Sequence, residues 1–487
     1  MSLRSEFFQG VFYTAIARYS GIVLSIFISA ILARHIPPSD FGIVALATVF
    51  INFFSTLTTV GISPAIIQNK NITDGDLRSI NTFSFIVAAA LTVFYLMTIP
   101  YVVTYYHDEK NLSEILYILS VCIFFSIATI VPNALLLKRK EFKFISIRSF
   151  IIQFLFGSIS VFCALSGIGI YALLIAPVGS SVILLAVNFM RVPVGFAFPK
   201  LTSIKKILSF SVFQMGFNLI YLLYREMDKI LIGKYFGMLN LGYYEKSYRL
   251  MMLPISNISV VISPVLHPLL SDYQNDKDYI WQKYIKMISF IGEFSFSVSV
   301  LLYYISDSII ILLFGNQWDS AIPIFKILSL SICFQLLQIP VGPILQSINR
   351  VSSLLKSSVW IVLIMLLGLT VCIVCNQFTW LPTAVVVAFM IGFIIYQLYV
   401  CYAFEKPISR VFNILFSHLL YALCLFCMLF LIDQSSISNH YYKAILYILM
   451  FLILYVVLFR FGKIPETQNF LRSLIIKYES HKIKRTI

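Results

Sequence analysis

Long apolar runs recur from one end of the sequence to the other, separated by short polar loops. About fourteen runs have around twenty or more residues, the length that an α-helix needs to cross roughly 30 Å of hydrocarbon. Segments such as VILLAV (182–187) are apolar on every face, which excludes the alternating strands of a membrane β-barrel. We predict an all-α polytopic membrane protein with spans at 10–33, 42–64, 80–104, 113–137, 145–166, 169–190, 207–232, 241–268, 284–313, 321–346, 351–375, 380–402, 411–432 and 442–461.

The charge distribution predicts the orientation of these spans. The chain is 60% hydrophobic and 12% charged, yet its formal net charge is +15. In a soluble protein this charge would suggest nucleic acid, but in a membrane protein Lys and Arg hold loops on the cytoplasmic side. Alternate loops carry most of these cations, including Lys138, Arg139, Lys140, Lys143 and Arg148 in one loop. We therefore predict that both termini are cytoplasmic and that no nucleic acid binds.

An internal repeat with an offset of 200 residues predicts two related halves. Ile62-Ser63-Pro64 recurs as Ile262-Ser263-Pro264, and ILARHIPPSDFG (31–42) aligns with LIGKYFGMLNLG (231–242). Six predicted helices separate the copies, so the halves have the same orientation and are related by a pseudo-two-fold along the membrane normal. In this register Arg34 corresponds to Lys234 and Gly42 to Gly242.

The repeat predicts a division of the chain into lobes. The substrate path of such proteins lies between the two halves. We predict an N-lobe (1–190, helices 1–6), a cytoplasmic linker (191–206), a C-lobe (207–402, helices 7–12), two extra C-terminal helices (403–461) and a basic cytoplasmic tail (462–487).

Several charged residues fall within predicted spans, where each costs about 2.5–3.5 kcal/mol on insertion scales. Arg18 lies about eight residues into the first span, roughly 12 Å from its inner end. Snorkelling, a structural ion pair and a cation lining the cavity all fit this position. In helix seven, Arg225, Asp228 and Lys229 share one face at i, i+3 and i+4. Neutralisation by Asp228 explains that cluster as well as a binding role does.

Cations are the prevalent charge in the predicted spans, which favours an anionic substrate. Lys and Arg clusters suit phosphate or pyrophosphate, which accepts several charge-assisted hydrogen bonds. Snorkelling also accounts for those in helix eight. The candidate substrate-binding cations are Arg18, Arg225, Lys229, Lys246 and Arg249. Candidates for coupling to an H⁺ or Na⁺ gradient, each with a structural role as the alternative, are Asp228, Glu293 and Asp307.

The sequence offers no signature of catalysis, nucleotide binding or metal binding. There is no GxxxxGK[ST] motif and no extramembrane domain of a size to hold a nucleotide. Two CxxC pairs, Cys372/Cys375 and Cys424/Cys427, lie in apolar stretches and lack a second ligand pair. We therefore expect neither a cofactor nor a resident metal, and a transporter rather than an enzyme.

Three segments resemble a known family. ILARHIPPSDFGIVALATVF (31–50) carries Arg34, Asp40 and Gly42, where the family shows a leucine-arginine stretch followed by an acidic residue, an aromatic and a glycine. Residues 228–254, with Gly242, resemble its Asp…Ile-Gly…Leu-Gly-Tyr-Tyr…Tyr-Arg stretch, and residues 313–328 its segment opening helix ten. The chain is similar to the Wzx-type polysaccharide (O-antigen) flippases of the multidrug/oligosaccharidyl-lipid/polysaccharide exporter superfamily.

The resemblance implies two six-helix lobes that alternate access to a central cavity in the bacterial inner membrane. It implies export of an undecaprenyl-pyrophosphate-linked oligosaccharide for O-antigen, capsule or exopolysaccharide. It also implies contact with membrane lipids and with a polysaccharide polymerase and its chain-length machinery. Arg34, Asp40, Gly42 and Gly242 would belong to the family motif and gate. The alternatives are a drug/cation antiporter of the same superfamily and a membrane-embedded polysaccharide polymerase.

Overall fold

The computed structural model describes residues 3–461 except 70, 108, 110, 205–221, 223–224, 272, 275, 349 and 435–439. These residues form helices and connecting turns, with no strand among them. The helices are α1 (Leu3–His35), α2 (Pro38–Gln68), α3 (Asp74–Tyr105), α4 (Leu112–Ala128), α5 (Ile130–Lys138), α6 (Phe142–Leu165), α7 (Ala172–Arg191), α8 (described over 225–235), α9 (Gly237–Ser271), α10 (Lys277–Phe314), α11 (Ala321–Ser329), α12 (Ile332–Gln338), α13 (Val341–Ser347), α14 (Val351–Val374), α15 (Leu381–Phe404), α16 (Ser409–Asp433) and α17 (His440–Phe461).

The all-helical membrane fold predicted from the sequence is confirmed, because a chain this apolar must satisfy its backbone hydrogen bonds within each spanning segment. Among the described residues, nine helices are long and apolar enough to span a membrane, or eleven if two bent pairs each form one span. The first bent pair, α4 and α5, turns by 41°, and the second, α11 with Ile332–Ser347, by 44°. The count of fourteen stays a prediction, and predicted span 207–232 lies mostly outside the described residues.

The described residues fall into two compact units. The first comprises residues up to Glu245 together with Leu313–Trp318. Within it α1 packs against α6, α6 against α7, and α4 against α2, α3 and α7. Helix α3 begins with a capping box: Asp76 N–H donates to Thr73 Oγ1 (3.2 Å), and Thr73 N–H donates to Asp76 Oδ2 (3.0 Å).

The second unit comprises Lys246–Leu312 and the described residues from Asp319 onward. Here α14 packs along α15, which also contacts α11 and α12. The two C-terminal helices α16 and α17 join α10 in an apolar cluster around Tyr304, Leu425 and Tyr447. The lobe boundaries, the two additional helices as a separate element and the basic tail stay predictions, and the tail (462–487) lies outside the described residues.

Candidate functional site

The first candidate site is a buried charge cluster between α8 and the start of α9, within the first unit. Lys229 is 8% exposed, and its Nζ lies 2.7 Å from Glu226 Oε2 and 2.9 Å from Glu245 Oε2. Glu226 is one turn earlier on the same helix, whereas Glu245 lies on α9. The sequence predicts that the Lys229 ammonium binds an anionic substrate, whereas in the structure two carboxylates hold it.

A third carboxylate completes this cluster. Asp228 is 2% exposed and accepts hydrogen bonds from the Tyr244 hydroxyl and from the Lys229 backbone N–H (2.8 Å). The helical spacing that predicted one face for Asp228 and Lys229 is present, but their partners come from α9. Three carboxylates, Glu226, Asp228 and Glu245, thus lie beside the Lys229 ammonium. We call these four residues together with Tyr244 the α8–α9 charge cluster.

The remaining predicted cations lie in different settings. Arg18 and Arg225 are half-buried, Lys246 is 2% exposed and Arg249 is exposed. Arg18 and Arg225 belong to the first unit, and Lys246 and Arg249 belong to the second. Their roles as pyrophosphate ligands stay predictions.

Two further candidates for ion coupling, Glu293 and Asp307, lie on α10 in the second unit. Glu293 is buried at 8% exposure, and Asp307 is half-buried, with one carboxylate oxygen accepting from the Ser306 hydroxyl at 3.3 Å. Of the three predicted coupling residues, the structure places only Asp228 in the α8–α9 charge cluster.

The second candidate site is a helix crossing built on the repeat. A Cβ placed on Gly42 would lie 1.9 Å from the Met238 carbonyl oxygen, and one placed on Gly242 would lie 1.9 Å from the Pro38 carbonyl oxygen. Pro38 corresponds to Met238 at the same offset of 200 that relates the glycines. The contact is therefore reciprocal, and the first turns of α2 and α9 meet as a local two-fold pair. We call this contact the glycine crossing.

The same reciprocity appears in the two cations before these helices. Arg34 Nε donates to the Leu313 carbonyl at the end of α10 (3.4 Å), and Lys234 Nζ donates to the Tyr105 carbonyl at the end of α3. Each cation thus reaches the C-terminus of the third helix of the other repeat copy. The partial negative charge of a helix C-terminus favours such a cation. Lys234 also lies 4.4 Å from the Tyr105 ring centroid.

Trp318 fills the space beside the glycine crossing. Its side chain is fully buried, and its indole N–H donates to the Ala33 carbonyl at 2.7 Å, near the C-terminus of α1. The indole lies edge-on to Phe41 and Tyr243, the neighbours of the two glycines, at 5.4 and 5.9 Å between centroids. Asp40, the remaining gate residue, lies half-buried in the first turn of α2, where its charge suits the helix N-terminus.

Sequence reasoning missed several of these partners. Glu245 and Tyr244 fall in the predicted span 241–268, and nothing in the sequence gives the register of this span against α8. Arg148, counted among the loop cations, is 7% exposed within α6, where it donates to the side-chain oxygens of Asn188 and Asn133. Trp318 carried no signal beyond its place in a resembling segment. The repeat and the family resemblance both singled out Gly42 and Gly242, and the repeat alone paired them.

Fold and site together define a multi-pass helical membrane protein that contains an internal repeat. The family model for "Polysaccharide biosynthesis protein" matches residues 31–323, a range that includes both the glycine crossing and the α8–α9 charge cluster. The chain belongs to this family.

Characterised relatives come from surface polysaccharide pathways. The chain is 24% identical over 371 residues to lipopolysaccharide biosynthesis protein WzxC of Escherichia coli, covering 74% of each chain. It is 24% identical over 357 residues to teichuronic acid biosynthesis protein TuaB of Bacillus subtilis, covering 72% of this chain and 73% of TuaB. The resemblance to Wzx-type proteins that the sequence predicted is confirmed.

Solved structures with the same fold are membrane transporters. The lipid II flippase MurJ, in an inward closed conformation, aligns with a TM-score of 0.75 at 16% identity, covering 96% of this chain and all of MurJ. An inward-facing multidrug resistance transporter of the MATE family aligns with a TM-score of 0.62 at 14% identity, covering 81% of this chain and all of that one. At this identity the likeness establishes the fold, which is that of the exporter superfamily predicted from the sequence.

Proposed function

We propose that the protein is a flippase for an undecaprenyl-pyrophosphate-linked oligosaccharide, acting in the bacterial inner membrane with both termini in the cytoplasm. The observation that carries the proposal is the reciprocal glycine crossing. Two repeat-related helices meet there through backbone atoms, and in this proposal they separate and rejoin as rigid bodies. Alternating access requires such a contact on one side of the substrate. Family membership and relatives in lipopolysaccharide and teichuronic acid biosynthesis support the class of cargo.

In this mechanism the half-buried Arg18 and Arg225 hold the pyrophosphate, and aromatic side chains contact the sugar. Arginine suits this role because its planar guanidinium binds phosphate through two parallel hydrogen bonds. The polyprenyl chain stays in lipid while the headgroup crosses. Separation of the glycine crossing, together with release of Arg34 and Lys234 from the helix ends they contact, opens the outer side.

The α8–α9 charge cluster offers a route to ion coupling. In this proposal a pyrophosphate takes the place of Glu226 or Glu245 on the Lys229 ammonium, which both carboxylates contact. A carboxylate that loses the Lys229 charge inside the protein is stabilised by binding a proton or a Na⁺ ion. Substrate binding and ion uptake are thereby linked.

The test is complementation of a strain that lacks the gene. In the strain that lacks the gene we expect loss of surface polysaccharide, with single lipid-linked repeat units trapped on the cytoplasmic face. Labelling of the sugar from the periplasmic side of spheroplasts measures how many repeat units have crossed. Wild-type protein restores export, whereas Arg18→Ala combined with Arg225→Ala does not at equal membrane expression. Arg191→Ala serves as the matched control, since Arg191 is exposed at the end of α7 and paired with Glu141.

Each alternative gives a different result. Repeat units that reach the outer face but stay unpolymerised identify a polymerase and contradict the flippase. Intact surface polymer with increased sensitivity to organic cations identifies a drug/cation antiporter. If the double variant exports normally, the pyrophosphate role of Arg18 and Arg225 is wrong. Co-purification with the polymerase or its chain-length partner, which the family resemblance implies, is tested separately.

A further inference from the structure

The contact between Lys234 and the end of α3 includes a histidine. Besides donating to the Tyr105 carbonyl, the Lys234 ammonium lies 2.8 Å from His107 Nε2. An ammonium carries three donors and no acceptor, so the ring nitrogen must supply a lone pair to this contact. The arrangement therefore requires a neutral His107 with its proton on Nδ1. We call this pair the Lys234–His107 contact.

The repeat provides a comparison, because the other copy lacks the histidine. There Arg34 donates to the Leu313 carbonyl at the end of α10. Two residues after each accepting carbonyl the backbone is left-handed, with Gly315 at a φ of 87° and His107 at a φ of 60°. Glycine adopts this conformation freely, whereas it is uncommon for a residue with a side chain. The first copy thus carries a titratable side chain at a turn where the second copy has a glycine.

The charges around His107 decide what a second proton on its ring would do. Among the described residues, the ionisable side chains at this corner are Lys234 and Tyr235 of α8, and Tyr105, Tyr106 and Glu109 at the end of α3. Of these, Lys234 alone contacts the imidazole, and Asp108 and Lys110 lie outside the described residues. A doubly protonated ring has two N–H donors and a positive charge, so it cannot accept from Lys234 and repels it.

Protonation of His107 therefore breaks the contact. The side chain is exposed, so protons reach it from solvent, and histidine is the residue type whose charge changes between about pH 5 and 8. The contact stabilises the joined ends of α3 and α8 while the ring is neutral, and this stabilisation is lost as the pH falls. We propose that His107 is a proton-binding site that, when occupied, releases Lys234 from the C-terminus of α3.

Release of Lys234 is one of the events that open the outer side in the proposed function. The link from this proton to transport rests on that proposal: a proton bound at His107 favours the open arrangement, whereas the Arg34 contact in the other copy has no histidine at the corresponding turn. The binding of the proton does not rest on transport, because it requires only the Lys234–His107 contact.

Distance measurements on the full-length protein in lipid nanodiscs test the proposal without a substrate. Spin labels at Tyr101→Cys on α3 and Leu239→Cys on α9, both exposed positions, report on the joined ends in a background without native cysteines. We expect one narrow distance distribution at about pH 8, where histidine is neutral. At about pH 5 the fraction of molecules in this distribution should fall about five-fold, because two unit charges in contact repel by roughly that equivalent even in water.

Matched variants separate His107 from other effects of pH. His107→Gln keeps a side-chain acceptor but cannot bind a proton, and His107→Gly reproduces Gly315 of the other copy. Both should give the same distribution at the two pH values. The control is His35→Gln: His35 is an exposed histidine whose Nδ1 lies 2.9 Å from the Ile31 carbonyl, a contact that protonation preserves. This variant should keep the pH dependence of the wild-type protein.

A wild-type distribution that does not change with pH overturns the proposal, as does a change that persists in both His107 variants. The link to transport is tested separately by the dependence of export on external pH in the complemented strain, which His107→Gln should flatten. An unchanged profile in that variant contradicts the link and leaves the proton site standing. Absence of export in the wild-type strain contradicts the proposed function and leaves the distance result unaffected.

Discussion

The glycine crossing and the α8–α9 charge cluster lie three residues apart on α9, yet they are built by opposite means. At Gly242 the helix meets its neighbour without a side chain, and this close approach requires that neither glycine carries a Cβ. At Glu245 the helix contributes a full charge, and the contact depends on the buried ammonium of Lys229. A steric contact can separate without leaving unpaired groups, whereas an ionic one cannot. This difference suggests that the crossing opens and the cluster stays together until an ion or substrate replaces a partner.

The largest loss of stability is expected from Lys229→Met. The change leaves Glu226 and Glu245 buried, with side chains only 12 and 18% exposed, and without their cation. Breaking a buried pair in this way destabilises by about 3–5 kcal/mol. The melting temperature of the purified protein in nanodiscs measures the loss.

A triple variant separates stability from function. Lys229→Met with Glu226→Gln and Glu245→Gln removes the ammonium together with both carboxylates that contact it, so most of the melting temperature should return. If export stays absent in the restored protein, the cluster acts in transport. Full export in that variant would show that the cluster is structural and would contradict ion coupling there.

A smaller loss of stability is expected from substitutions at the glycine crossing. Gly42→Ala or Gly242→Ala places a methyl group 1.9 Å from a backbone oxygen, which no side-chain rotation can relieve. We expect each to destabilise the described arrangement by about 1–3 kcal/mol, as overpacking usually does. Because the two contacts are reciprocal, the variants should resemble each other closely in melting temperature and in export.

Gly342→Ala is the control for these variants, since a Cβ there meets nothing within 4 Å. Its melting temperature should not fall. If Gly42→Ala is as harmless as Gly342→Ala, the helices do not meet through their backbones.

The smallest effect is expected from the two cations at the helix ends. Arg34→Gln and Lys234→Gln each remove a charge from a helix C-terminus at the protein surface, an interaction of about 0.3–1 kcal/mol. The loss should be largest at low salt, because exposed charges are screened. Melting temperatures at low and high ionic strength measure it, and a loss independent of salt would argue for packing instead of charge.

Much of the fold could be predicted from the sequence, because the bilayer restricts a chain of this hydropathy to helices. Long apolar runs determine that α1, α3, α6 and α14 exist, and the predicted ends fall within a few residues of several of them. One helix break had a sequence signal that the predicted spans did not use. The run at 113–137 was left undivided, yet the 41° bend at Thr129 lies three residues before Pro132, which cannot donate to the Ala128 carbonyl and therefore kinks a helix.

The candidate site shows the same division. The sequence alone determined that Gly42 and Gly242 are equivalent, because the repeat is a property of the chain and its register can be read without coordinates. It also determined that charges at Lys229 and Asp228 must meet protein or water, since lipid does not tolerate them. Only the tertiary structure decided what they meet. The register of α8 on α9 brings Glu245 to Lys229 and Tyr244 to Asp228, and the crossing of α2 and α9 turns a sequence equivalence into a physical contact. Distances between segments far apart in the chain follow from how helix surfaces fit, and that fit depends on all the side chains at once.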